Sequence, residues 1–185
     1  MRDNLETYKN FVKPFYAARD IAHNFNHIQR IIQRLEILSQ EVTPSLKSDH
    51  LYFLACFHGL GARINDDEIF RQHVVKFLKD IGWEGDEVSE LFKSLERHLE
   101  LPATIEEQIV HDANKVDILG AFGVAKAFTM GAILGQTYEE TVEYFEHKTL
   151  GKTVFYTPIA KRLAKEGQEY ALKFLERLKQ ELEIR

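Results

Sequence analysis

The sequence predicts an all-α fold, a compact bundle of about seven to nine helices forming a single domain over residues 1–185. Three observations lead there. Apolar residues recur every three to four positions along almost the whole chain, the repeat of a helix with one buried face. No stretch alternates apolar and polar residues with period two for long enough to argue a sheet. Clusters of Gly, Pro, Ser and Thr punctuate the periodic runs, and several fall where helix caps belong. A chain of 185 residues with 44% hydrophobic content is long enough to bury a sizeable core.

The elements follow in order. Phe25, Ile28, Ile31, Ile32, Leu35 and Leu38 mark the first long helix, and "TPS" at 43–45 breaks it. The apolar run "LYFLACF" predicts a buried helix over 48–58, ended by "GLGAR". Ile69, Phe70, Val74, Phe77, Leu78 and Ile81 mark a third, stopped by "GWEG" at 82–85. Val88, Leu91, Phe92 and Leu95 mark a fourth, stopped before "LPA". Thr104 with Glu107, and Thr137 with Glu140, have the spacing of capping boxes, in which hydroxyl and carboxylate each take one orphan amide. In "YTPIAKRL", Thr157 is placed to cap a helix that opens on Pro158, where the missing N–H costs nothing. That last helix runs through Ile159, Leu163, Tyr170, Phe174, Leu178 and Leu182.

Composition narrows the function classes. The formal net charge is −5 and no basic excess is visible, so a nucleic-acid polymer is not the expected partner. The single cysteine, Cys56, sits inside the apolar run and has no partner for a disulfide or a thiolate metal site. No stretch is apolar for the roughly 20 residues of a membrane span, and "MRDNLETYKNF" is not an apolar signal segment. The expectation is a cytoplasmic protein with no membrane partner.

The candidate chemistry lies in three places. His23 and His27 are four apart, the spacing of neighbours on one helix face, and Arg30 lies three further on. Two imidazoles beside a guanidinium suit a metal or a phosphate, and equally a hydrogen-bonded surface stripe. His58 ends an apolar run, where an unpaired ring would be costly to bury. Asp112 and Asp117 stand in an otherwise apolar stretch with Lys115 between them, and carboxylates near a core need a cation or hydrogen-bond donors. Gly120 and Gly123 allow close helix packing or a bend there.

Together these motifs resemble the HD superfamily of metal-dependent phosphohydrolases, in its small single-domain branch. That branch typically reads "HD..H..RV", "A.LLHD" and "DAD.LDA.GA.G.AR.F". The counterparts here are "HNFNHIQRI" at 23–31, "ACFHGLG" at 55–61 and "DANKVDILGAFGVAKAF" at 112–128, and "YFEHKTLGKTVFYTPIAKRLAKEGQEY" is also similar. The resemblance covers most of the chain. It implies a divalent metal (Mn²⁺, Mg²⁺, Fe²⁺, Ni²⁺ or Zn²⁺) held by His27, His58 and Asp112. His23, Arg30, Lys115 and Lys148 would then meet the phosphate of a small phosphorylated substrate, a nucleotide in the first instance. The sequence departs from the pattern at three places: Asn24 and Asn114 replace carboxylates, and the aspartate of the His-Asp doublet is Gly59. A weakened or missing metal is the expected consequence, with Asp66 or Asp67 in "GARINDDE" as candidate replacements. Two functions stay open, hydrolysis of a phosphoester and binding of a phosphorylated ligand or protein partner without turnover. His111 precedes Asp112 in a literal "HD", yet the aligned pattern does not make it a ligand.

Overall fold

Every periodic run becomes a helix in the computed structural model, which describes residues 4–42 and 45–183. Among the described residues there are ten α-helices, one short 3-10 helix and no strand. Nine of the ten are at least eight residues long. Thr43 and Pro44 of the predicted helix break lie outside the described residues. The chain divides into two compact units, residues 1–35 with 43–111, and residues 36–42 with 112–185.

The first unit opens on an element that the sequence reading left without assignment. Helix α1 (Leu5–Val12) and a 3-10 helix (Lys13–Tyr16) bury Tyr8, Val12 and Tyr16. Tyr8 lies edge-on to Phe53, Phe57 and Phe77, with centroids 6.0–6.2 Å away, and Phe11 stacks on Phe77 at 3.8 Å. This aromatic packing holds the N-terminal segment, which is too short to be a stable helix alone. Helix α2 (Phe25–Ser39) starts in this unit, and α3 (Ser48–Phe57) buries Phe53 to Phe57 without a break. The segment after His58 is helical rather than loop: α4 spans Gly61–Asp66 and α5 spans Glu68–Asp80. Asp66 closes α4, and Asp67 caps α5 by accepting from the Phe70 amide at 2.9 Å. Arg63 packs over Phe70 at 4.1 Å. Helix α6 (Gly85–Arg97) and the start of α7 (Ile105–Val116) complete the unit.

The predicted box at α7 forms only in half. Thr104 Oγ1 accepts from the Glu107 amide at 3.3 Å, but the Glu107 carboxylate accepts from the Ala103 amide at 2.7 Å and from Arg97. Arg97 forms a fork onto it, with Nε at 2.9 Å and a terminal nitrogen at 2.7 Å.

In the second unit, α8 (Gly120–Ile133), α9 (Tyr138–Lys148) and α10 (Pro158–Glu183) pack around Val124, Val142, Phe145, Ala171 and Leu175. The box at α9 forms as the sequence predicts: Glu140 accepts from the Thr137 amide at 2.8 Å, and the Thr137 hydroxyl accepts from the Glu140 amide at 3.2 Å. The two glycines in the third motif differ in role. Gly120 turns the chain into α8 with φ at +66°, a conformation that other residues adopt at a cost. Gly123 has room for no side chain, because a Cβ there would lie 2.2 Å from the Ile118 carbonyl carbon. Among the described residues no single helix is long and apolar enough to cross a membrane.

Candidate functional site

Each candidate side chain belongs to one unit, and its surroundings there show what it can do. In the first unit, His27 lies in the first turn of α2 and is buried, with its amide bonded to Asn24 O at 3.0 Å. His23 is not on that helix. It precedes the helix, and its amide and Nδ1 are both held by Asp20, with Nδ1 3.0 Å from each carboxylate oxygen. This contact to His23 holds the Asp20 carboxyl below the usual carboxylate range. The expected pair on one helix face is therefore an edge-on contact across a helix start, with ring centroids 6.4 Å apart. Arg30 lies on α2 three residues after His27, half-buried.

His58 follows the last residue of α3 and continues the row of rings. Its centroid is 5.5 Å from that of His27 and 5.3 Å from that of His98. His58 Nδ1 lies 3.0 Å from His98 Nε2, and His98 Nδ1 lies 2.8 Å from Leu95 O. A carbonyl oxygen only accepts, so His98 Nδ1 carries a hydrogen. Neutral His98 then has a bare Nε2, to which His58 Nδ1 donates. Neutral His58 then carries its lone pair on Nε2. His98, buried at the end of α6, is brought to His58 by the fold, and sequence reasoning gave it no role. It lies 40 residues from His58, and no local spacing relates them.

Gly59 sits in a clamp. Its amide donates to Tyr16 Oη at 3.1 Å, its carbonyl accepts from Arg19 at 2.6 Å, and Tyr16 Oη donates to Cys56 O at 3.1 Å. Burial pushes the Tyr16 phenol far above its ordinary value, so it stays a neutral donor. Burial likewise raises the Cys56 thiol to about 12. That residue is packing rather than chemistry.

In the second unit, Asp112 is fully buried and its carboxylate is a structural acceptor. It takes the Tyr156 amide at 3.0 and 3.1 Å, the Thr157 amide at 2.7 Å and the Thr157 hydroxyl at 2.9 Å. Those donors lie at the start of α10, where four amides lack helical partners and a negative charge is favoured. Asp117 is equally buried, 3.9 Å from Lys126. Lys115 is half-buried in the last turn of α7, Lys148 is exposed at the end of α9, and His111 is buried.

Among the described residues no group of three or more His, Cys, Asp or Glu side chains is placed to hold a metal ion. Gly59 offers no donor, and the oxygens of Asp112 already accept four hydrogen bonds.

No family model matches the chain. Uncharacterized protein YpgQ of Bacillus subtilis is 31% identical over 198 residues, spanning 96% of this chain and 93% of that one. The crystal structure of B. subtilis YpgQ in complex with ADP superposes with a TM-score of 0.76 at 21% identity, over 96% and 94% of the two chains. An HD-superfamily hydrolase from Bacillus thuringiensis superposes with a TM-score of 0.78 at 22% identity, over 98% of both chains. The likeness to these structures is one of fold.

Proposed function

The chain belongs to the family that contains Bacillus subtilis YpgQ and has the HD-domain fold, and on that premise we propose that it binds a small phosphorylated ligand of the nucleotide class. The observation that carries this reading is the row of His27, His58 and His98 within the first unit, in which His58 Nδ1 lies 3.0 Å from His98 Nε2. Such an imidazole accepts a hydrogen bond from a ligand hydroxyl or, when protonated, donates to a phosphate oxygen. Arg30, three residues along α2 from His27, supplies a guanidinium of the kind that takes two phosphate oxygens at once. YpgQ crystallised with ADP, which supports a nucleotide over other phosphoesters.

Hydrolysis of that ligand with a divalent metal held by His27, His58 and Asp112 is the second reading. It is favoured by the retention of all three side chains in the sequence. Calorimetric titration with ADP, first in EDTA and then with Mn²⁺, separates the two. Binding that is the same in both solutions, with no phosphate released, supports binding without turnover. Mn²⁺-dependent release of phosphate supports the hydrolase. Absence of ADP binding in either solution overturns the nucleotide reading.

A further inference from the structure

The contacts of Gly59 point to a group that the sequence motifs do not contain. A Cβ added at residue 59 would lie 3.0 Å from a terminal nitrogen of Arg19 and 3.2 Å from the ring and hydroxyl of Tyr16. Any side chain there would start in tight contact with the Arg19 guanidinium and the Tyr16 ring, and one of them would have to give way. The guanidinium is held in place twice, by its 2.6 Å hydrogen bond to Gly59 O and by its position over the Tyr16 ring, 5.1 Å from the centroid. Tyr16 is itself fixed by burial and by hydrogen bonds to Cys56 O and the Gly59 amide.

Arg19 has no carboxylate partner among the described residues. Its neighbour Asp20 is committed elsewhere, to the Ala22 amide at 2.8 Å, the His23 amide at 3.1 Å and His23 Nδ1 at 3.0 Å. A guanidinium has five N–H donors in a planar fork, and one carbonyl satisfies only one of them. The remaining donors, on an exposed and pre-positioned cation beside the residue that follows His58, suit an anion with several oxygens.

We propose that Arg19 is the phosphate-anchoring residue of this site, and that glycine at residue 59 leaves its guanidinium uncrowded in that seat. The corner next to His58 thereby takes an anion directly, where a side-chain carboxylate at 59 would take a cation. This inference rests on the reading of the protein as a binder of phosphorylated ligands and names the residue that selects for the phosphate.

The test uses ADP and inorganic pyrophosphate as probes, in EDTA, with the full chain. Arg19→Ala should weaken ADP binding about 10-fold or more, and Arg19→Lys should recover only part, because an ammonium lacks the fork. Gly59→Ala retains Arg19 but crowds it, and should weaken ADP by a similar factor while circular dichroism and Tm stay near those of the parent. Gly59→Asp should gain little Mn²⁺ affinity, because the new carboxylate pairs with Arg19, whereas Gly59→Asp with Arg19→Ala should gain more. If the parent binds ADP and Arg19→Ala binds it within twofold, the inference is overturned and the nucleotide reading stands. If the parent binds pyrophosphate in an Arg19-dependent way but not ADP, the inference stands and the nucleotide reading fails. If neither probe binds, both fail.

Discussion

Removing Arg97 should expose how the histidine row is held, because Arg97 immediately precedes His98 at the end of α6. Its fork closes on Glu107, whose side chain is 0% exposed while that of Arg97 is 37% exposed. Burial alone would raise the Glu107 carboxyl, but Arg97, the Ala103 amide and Ser94 outweigh it and hold the carboxyl down at about 2 against an ordinary 4.5. At about 1.4 kcal/mol per pH unit this corresponds to roughly 3 kcal/mol favouring the folded state at pH 7. Solvent around the part-exposed guanidinium screens some of it, so about 2 kcal/mol is the expected loss in Arg97→Ala. The folded value is depressed, so this contribution is complete above about pH 4.5 and fades as pH falls toward 2. Urea denaturation of the parent and Arg97→Ala at pH 7 and pH 3 should therefore show a gap that narrows in acid. A gap below about 0.5 kcal/mol at pH 7, or one of equal size at pH 3, refutes the reasoning.

Three further outcomes are expected. Asp112→Asn loses the charge that receives the Tyr156 and Thr157 amides and turns one oxygen into a donor facing donors, so urea denaturation should show a loss of about 2–3 kcal/mol even in metal-free solution. Gly123→Ala drives a methyl against the Ile118 carbonyl, and its cost should reach about 3 kcal/mol, with a loss below about 1 counting against the close approach. Nitrogen-15 NMR at pH 8 should find His58 protonated on Nδ1 in the parent, and His98→Ala should release that preference; an Nε2-protonated ring in the parent would contradict the hydrogen-bond chain.

The helical class and most helix positions were legible because they follow from spacing along the chain. The runs from Phe25, Leu51, Ile69 and Val88, and the cap at Thr137, depend only on residues within a few positions of one another. The misses are those that depend on distant partners. Helix α1 has only eight residues, too few to stand alone, and is held by aromatic contacts to Phe53, Phe57 and Phe77. "GARINDDE" reads as a loop by composition, yet Asp67 caps one helix directly after another has ended. His23 and His27 have helical spacing, but Asp20 holds His23 outside the helix start.

For the candidate site, sequence alone determined which residue types are present, and the resemblance marked Asn24, Gly59 and Asn114 as departures from the family pattern. What surrounds them was decided by tertiary structure. Asp112 could be seen as a carboxylate needing partners, but only folding shows those partners to be the amides of Tyr156 and Thr157, 44 and 45 residues away. His98 and Arg19 could not be found by spacing, because each reaches the His58–Gly59 pair across 40 residues of chain. A glycine is visible in a sequence. What borders it depends on packing, and at Gly59 that is the Arg19 guanidinium and the Tyr16 ring.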